Sequence, residues 1–238
     1  MFVATKQSVD RQARMTEAIV TRYWRLIESR HDARAFAVLK AAYGEPHRGY
    51  HAFGHIVDLL QQLDRFSGLA TRIDLVAASI FWHDAVYVVR APGDNVRPDI
   101  ENVRDSAALF ARHAAFEKTD QDAVIEMILA TSDHVEAKPA RQHYPGFSGD
   151  FDLFLDLDLS SLAAPWPAFV ENLDKIRFEY AFVPEVLFLR GRLEMIERFA
   201  RGGERLFRRE ETRALWSAAA RANFVRSAED LRARLGVL

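Results

Sequence analysis

Cysteine is absent from the 238-residue sequence. Its absence excludes disulfide bonds, cysteine-ligated zinc sites and thiol nucleophiles, and it suits a reducing cytoplasm. An excess of charge of either sign is also missing, because 32 basic and 34 acidic residues leave a net charge of -2. A chain with so little net charge has no electrostatic footprint for a nucleic-acid polymer or an anionic membrane.

Long apolar runs are missing as well. The run at residues 75–82 is far shorter than the roughly 20 residues that span a bilayer. The N-terminal sequence MFVATKQSVDRQ soon becomes polar, which predicts no signal peptide. Hydrophobic residues make up 49% and charged residues 28% of the chain, so we expect a soluble, globular, cytoplasmic protein.

The periodicity of apolar residues is helical almost throughout, and few stretches show strand alternation. Residues 71–86 are apolar on nearly all sides, which predicts a buried central helix. Residues 86–89 (VYVV) resemble a strand but lead straight into the loop 91–99, which contains two prolines. We therefore predict a single all-α domain over residues 1–238. The predicted helices cover residues 9–28, 33–43, 47–66, 71–86, 100–113, 120–131, 151–162, 167–181, 184–201 and 210–235.

Histidine and aspartate pairs stand within this helical pattern. His51 and His55 are four residues apart in YHAFGHI, and on a helix that spacing places both on one face. Two imidazoles placed in this way can share a metal ion or flank a substrate.

His83-Asp84 follows the predicted central helix in the string FWHDAVY. A charged aspartate beside an apolar run is costly to bury unless it has a partner, and a metal ion would pair with both side chains at once. Asp156 and Asp158 interrupt the apolar stretch FLDLDLS in the same way. Together, these residues predict a metal site.

Seven motifs follow one another in the sequence: YHAFGHI, WHDAVY, ENVRDSA, ATSDH, FLDLDLSSL, IRFEY and LRGR. In this order they resemble the HD-domain superfamily of metal-dependent phosphohydrolases, and most closely a bacterial branch described as predicted metal-dependent HD phosphohydrolases. The resemblance extends from Arg48 to Asn223. It implies an HD-domain-like helical bundle with additional C-terminal helices. The implied regions are N-terminal helices over about 1–45, a metal-site core over 46–165 and C-terminal helices over 166–238.

The resemblance also implies a divalent metal ion held by four ligands. They are His51, His83, Asp84 and Asp158. His55 is the alternative to His51, and Asp156 is the alternative to Asp158, which we prefer because the last ligand of the superfamily commonly ends an Asp-small-Asp run. Histidine and carboxylate ligands suit Mn, Fe, Co, Ni, Zn and, less well, Mg.

Some superfamily members hold two ions, using two further histidines before the last aspartate. His134 in ATSDH is the better candidate here, and His113 is expected to face solvent. One ion is the expected number. A second ion, in the alternative, would share Asp84 with the first as a bridging ligand. Asp84 would also orient the attacking water, and Glu101 would assist as a water-orienting residue. Val103 departs from the pattern, because a second glutamate usually stands there.

The resemblance implies hydrolysis of a phosphate ester or anhydride in a small phosphorylated metabolite or nucleotide, with a metal-activated water as nucleophile. A cation should hold the phosphate, and the candidates are Arg48, Arg177 and Arg192. Two alternatives remain. One is an HD-type di-iron oxygenase, and the other is a non-catalytic metal-binding sensor or scaffold protein.

Overall fold

A computed structural model of the chain describes residues 6–236, with side chains from residue 13 onward except that of residue 204. This part contains ten α-helices and no strand, and the structure is 73% helical, so the predicted all-α class is confirmed. Residues 1–5, which begin the N-terminal sequence considered above, lie outside it. The helices are α1 Lys6–Arg25, α2 Ala35–Tyr43, α3 Phe53–Arg65, α4 Ile73–Trp82, α5 Asp99–His113, α6 Lys118–Ala130, α7 Phe147–Asp158, α8 Trp166–Glu179, α9 Glu185–Gly202 and α10 Glu210–Leu235.

Helix α4 lies at the centre of the fold, and all its residues from Leu75 to Trp82 are buried. It contacts α1, α3, α5, α6 and α7, as expected for a helix that is apolar on every side. It ends at Trp82, four residues before the predicted end at residue 86. His83 and Asp84 therefore lie beyond the helix, and the strand-like residues 86–89 form an extended segment without a strand partner.

Helix α3 packs on α4 through one apolar stripe. Ile56, Leu59, Leu60 and Leu63 are buried, and their spacing places them on the same side of the helix. Each fully buried aliphatic side chain of this size contributes roughly 1.5–3 kcal/mol through the hydrophobic effect. The stripe thus fixes how α3 is rotated, and with it the direction of the side chains at its first turn.

The C-terminal helices attach to the core at the end of α7. Helix α10 packs along α9 and against the 3-10 turn Leu159–Ala163, and α8 contacts the same turn. Pro165 and Pro184 directly precede α8 and α9, where proline helps to start a helix because it lacks the N–H that a helix interior would use. Helix α8 therefore begins directly after the turn that follows α7.

Within the part of the chain that the structure describes, no helix combines the length and apolarity that a membrane crossing requires. The subdivision at residues 45 and 165 and the HD-like character of the bundle stay predictions.

Candidate metal centre

The His83-Asp84 pair lies directly after α4. The Nδ1 atom of His83 donates a hydrogen bond to the carbonyl oxygen of Ile80 at 2.9 Å. With the proton on Nδ1, the Nε2 atom of the neutral ring carries a lone pair. A hydrogen bond of this kind from the second ring nitrogen is the usual arrangement of a histidine that binds a metal.

His55, in the first turn of α3, presents its Nε2 atom to the same point. This atom lies 3.3 Å from Nε2 of His83 and 3.9 Å from Oδ2 of Asp84. The Nε2 atom of His83 is 3.1 Å from the same carboxylate oxygen. One ligand atom from each of the three residues lies within 4.8 Å of the others, and the two histidines are buried. This group could hold a metal ion.

Asp158, the last residue of α7, lies beside this group. Its Oδ1 atom is 3.1 Å from Nε2 of His55 and 3.4 Å from Nε2 of His83. Its Oδ2 atom is 2.7 Å from Nε2 of His134. The Asp158 carboxylate therefore connects the His55-His83 pair to a third imidazole.

The spacing of these atoms fits a divalent ion. Two ligand atoms that are each about 2.1 Å from a metal lie roughly 3.0–3.4 Å apart at octahedral or tetrahedral angles. The separations among His55, His83 and Asp84 are 3.1, 3.3 and 3.9 Å. The imidazoles of His55 and His83, which are neutral when they bind a metal, and the carboxylates of Asp84 and Asp158 form a mixed nitrogen and oxygen set, which suits a divalent transition metal.

The electrostatics of the cluster favour ionised carboxylates. Burial opposes the charged form of Asp158, but the imidazoles of His83, His134 and His55 outweigh it and hold the pKa of this carboxyl well below its usual range. Burial likewise opposes the charge of Asp84, and His83 outweighs it and lowers the Asp84 pKa. The two aspartates therefore carry negative charge at neutral pH, which a cation in their midst would balance.

His51 occupies a different place from His55. Helix α3 begins at Phe53, so the prediction that both histidines lie on one helix face is wrong. The Nδ1 atom of His51 lies 2.8 Å from Oε2 of Glu179, and its ring stacks on Tyr87 with 3.9 Å between the ring centroids. His51 lines the same cavity as the cluster, but the geometry favours His55 over His51 as the first ligand.

Asp156 points away from the cluster. Its Oδ1 atom accepts the main-chain N–H of Arg208 at 2.7 Å, and its Oδ2 atom accepts that of Arg209 at 2.8 Å. The hydroxyl of Thr212 donates to the same Oδ2 atom. These three donors occupy the carboxylate at the start of α10, so the geometry favours Asp158 over Asp156 as the last ligand.

Two of the three candidate phosphate-binding arginines are bound to main-chain carbonyls. Arg48 is buried and donates to the carbonyl oxygens of Asp84 at 2.7 Å and Ala85 at 3.2 Å. Arg177 donates to the carbonyl oxygens of Tyr180 and Val183. Neither arginine lines the cavity at the cluster. The structure does not place them where they could bind a phosphate, because their guanidinium N–H groups are used to bind main-chain carbonyl oxygens.

Arg192, on α9, lines a cavity of about 500 Å³ that also exposes His55, Asp84 and Asp158. Its Nη1 atom lies 3.2 Å from the sulfur of Met195, and its Nε atom is buried without a hydrogen-bond partner among the described residues. Burial lowers the pKa of Arg192. A buried N–H donor without a partner is an unusual cost for a folded protein, and an anionic ligand that accepts from Nε would remove that cost.

Glu101 is half exposed and pairs with Arg97 at 3.2 Å rather than with the cluster. Asp99, two residues earlier at the start of α5, lines the cavity. Asp99 has no hydrogen bond or ion pair from its carboxylate within the described side chains, and burial together with the charge of Asp84 raises its pKa. The structure thus places Asp99 where the sequence had suggested Glu101.

Asp99 and Glu179 are the residues that sequence reasoning missed. Asp99 follows Pro98 at the end of the predicted loop, where an acidic residue is ordinary at a helix start. Glu179 stands in IRFEY, but its role depends on contacts with residues 49–51 that are distant in sequence. His113 was considered for a second ion, but its Nδ1 atom pairs with Asp32 at 2.7 Å, outside the cluster.

No protein-family model matches the chain, and neither a curated protein nor a solved structure matches it significantly.

Proposed function

We propose that the protein is a metal-dependent phosphohydrolase that acts on a small phosphorylated molecule. One observation carries the proposal. His55 and Asp84 of the group that could hold a metal line the same cavity as Arg192, whose guanidinium lacks a carboxylate partner among the described residues. Phosphoryl chemistry requires that the charge of the phosphate be neutralised and that the phosphate be positioned. A cation site and a guanidinium in one cavity could meet both requirements.

His55, His83, Asp84 and Asp158 would hold the ion, and His134 would hold a second ion or orient Asp158. A divalent metal in this position lowers the pKa of a bound water toward neutrality and offsets the charge on phosphoryl oxygens. The Nδ1 atom of His83 keeps its proton on the carbonyl oxygen of Ile80. It thereby holds the ring in the tautomer that leaves Nε2 free.

Arg192 would bind the phosphate. A guanidinium donates to two phosphate oxygens at once, and the Nε atom of Arg192 is among the donors that have no partner in the described residues. Binding there would also give the buried Nε donor of this partly buried side chain an acceptor.

Asp99 would supply a proton to the leaving oxygen. Burial and the charge of Asp84 raise the pKa of Asp99, which is the direction that a proton donor requires. The carboxyl also lines the cavity. Asp84 and Asp158, whose pKa values are lowered, stay ionised and remain ligands.

The test uses the full chain purified without chelator. Phosphate release from a panel of sugar phosphates, nucleoside monophosphates and simple phosphomonoesters is measured with Mn²⁺, Co²⁺ or Mg²⁺. We expect turnover that His83→Ala and Asp84→Ala abolish. Arg192→Gln should raise KM at least about tenfold, and Arg190→Gln, an exposed arginine on the same helix, should leave KM unchanged. Wild-type rates in both ligand variants would refute the proposal.

The contact between His134 and Asp158 at 2.7 Å favours one alternative, the di-iron oxygenase, because it places a further imidazole beside the cluster. Iron-dependent oxygen uptake by the iron-loaded protein, with no phosphate release from any member of the panel, would replace the hydrolase by this alternative. Metal binding without either activity would leave the non-catalytic sensor or scaffold.

A further inference from the structure

The cavity has two unlike walls. One wall carries His55, Asp84, Asp158 and Asp99. The wall that α8 and α9 build is mostly apolar, although it also includes Arg192 of α9. Its side chains include Phe169, Leu173, Ile176, Leu187, Phe188 and Met195. Apolar walls of this kind define the part of a ligand that carries no charge, while a few polar groups orient it.

The charges in the cavity suit a single phosphate. A divalent ion would offset Asp84 and Asp158. Arg198 pairs with Asp133 at 2.7 Å, which leaves Arg192 as the arginine of this cavity with no carboxylate partner among the described residues. One phosphate can use that guanidinium and the ion. A diphosphate or triphosphate would bring further negative charges that meet no remaining cation.

Gly191 opens the apolar wall. It lies in α9 four residues after Leu187 and four before Met195, and all three line the cavity. A Cβ atom added at Gly191 would meet nothing within 4 Å. Glycine inside a helix is less favourable than alanine, and no neighbouring atom requires a glycine here. Its effect is to leave open space between two apolar side chains.

We propose that the substrate is a phosphomonoester with an apolar carbon body, which lies against α8 and α9 in the space that Gly191 leaves. This inference rests on the proposed phosphohydrolase function, and it narrows the substrate class. A polar sugar or base that lies against the apolar side chains of α8 and α9 would lose hydration that those side chains cannot replace with hydrogen bonds. An alkyl or aryl body gains free energy there from the hydrophobic effect.

Binding is measured independently of turnover. Isothermal titration of the Mn²⁺-loaded full chain with ethyl-, butyl- and hexylphosphonate, all as monomers in solution, gives the dependence of affinity on chain length. Each methylene that enters an apolar site raises affinity by up to about fourfold. We expect hexylphosphonate to bind at least about tenfold more tightly than ethylphosphonate. Equal affinities across the series would overturn the inference.

Variants on α9 locate the apolar body. Gly191→Leu should reduce the ratio of hexyl- to ethylphosphonate affinity to near one, and Gly191→Ala should reduce it by less, because the methyl group fills less space. Leu187→Gln should lower the ratio as well. Val186→Gln is the matched control, since Val186 is as exposed as Leu187 (53% against 56%) but does not line the cavity. It should keep the wild-type ratio. A wild-type ratio in both Gly191→Leu and Leu187→Gln would place the apolar body elsewhere and overturn the inference.

The same samples separate this inference from the proposed function. Initial rates with ethyl phosphate, hexyl phosphate and AMP test turnover. A higher kcat/KM for hexyl phosphate than for AMP supports both. Chain-length-dependent binding without hydrolysis of any ester supports the inference about the ligand and refutes the hydrolase. Faster turnover of AMP with flat phosphonate binding supports the hydrolase and overturns the inference.

Discussion

The Nδ1 atom of His51 lies 2.8 Å from Oε2 of Glu179, and the other oxygen of that carboxylate accepts the main-chain N–H of His51 at the same distance. Oε1 also accepts the N–H groups of Gly49 and Tyr50. Burial opposes the charge of Glu179, but the contacts with His51 outweigh it and lower the pKa of the glutamate. One buried carboxylate at the end of α8 thus fixes residues 49–51, the segment that leads into α3 and to the ligand His55.

Replacing this carboxylate should destabilise the protein. Glu179→Gln keeps one oxygen for the three main-chain N–H groups but replaces Oε2, which faces His51, by an uncharged NH2 group that cannot accept a hydrogen bond. We therefore expect unfolding to cost about 2–3 kcal/mol less than in the wild type. Urea denaturation measures the difference. Glu101→Gln, at a half-exposed glutamate, should change stability by less than about 0.5 kcal/mol. Equal stabilities for the two variants would contradict the role assigned to Glu179.

The same Glu101 variant serves as a control for Asp99. If the Asp99 carboxyl gives a proton to the leaving oxygen, Asp99→Asn should lower kcat by about a hundredfold while the metal content stays at the wild-type level. Because the pKa of Asp99 is raised, wild-type kcat should fall as the pH rises through that pKa, and the variant should lack this limb. Glu101→Gln should follow the wild-type profile. A wild-type kcat in Asp99→Asn would exclude the role.

His31, which is not a member of the metal-ligand cluster, makes the unfolding free energy of the protein depend on pH. Its Nδ1 atom donates to the carbonyl of Ile27, and its Nε2 atom accepts from the indole N–H of Trp82. Both bonds suit the neutral ring, and burial lowers the pKa of His31 to about 4. This pKa lies below the unfolded value of 6.5, so the contribution is fully present above pH 6.5 and is lost as the pH falls toward 4.

The effect is seen by comparing His31→Gln, which can make the same two hydrogen bonds, with the wild type. Between pH 7.5 and pH 4.5 the wild type should lose about 2 kcal/mol more unfolding free energy than the variant. Urea denaturation at both pH values provides the measurement. An equal loss in the two proteins would show that His31 does not become charged on unfolding.

Asp156 and Asp158 are two residues apart and should respond to replacement in opposite ways. Asp156→Ala leaves two main-chain N–H groups and the Thr212 hydroxyl without their acceptor. It should lower the unfolding free energy by about 2–4 kcal/mol and leave metal binding by the folded protein intact. Asp158→Ala should retain the fold and lose metal affinity. Thermal unfolding and metal content are measured for both variants. Loss of metal in Asp156→Ala together with loss of stability in Asp158→Ala would contradict the assignment of Asp158 as a metal ligand.

The helices were predictable because their signal is local. The apolar stripe of α3 and the all-round apolarity of α4 follow from spacing within a single segment, and all ten predicted helical stretches correspond to observed helices. The ends were less predictable. Helix α4 stops at Trp82 without a glycine or proline directly after it, and α3 starts at Phe53, six residues after the predicted start at residue 47.

The partners of the polar residues were not predictable from spacing. Whether Asp156 or Asp158 faces the cluster depends on α10, whose first N–H groups and Thr212 occupy Asp156. Whether an arginine can bind a phosphate or is bound to a main-chain carbonyl also depends on residues that are distant in sequence. The hydrogen bond from Arg48 to the carbonyl oxygen of Asp84 is an example. The sequence indicated the His83-Asp84 pair because two polar residues beside an apolar run need a partner within the fold.

The metal content of three proteins tests the central claim most directly. Wild type, His55→Ala and His51→Ala are produced under metal-replete conditions, dialysed without chelator and measured by mass spectrometry. The geometry of His55, His83 and Asp84 predicts at least about one divalent ion per wild-type chain, its loss in His55→Ala and its retention in His51→Ala. A wild-type chain without a stoichiometric metal ion, or a His55→Ala variant that keeps it, would contradict the account.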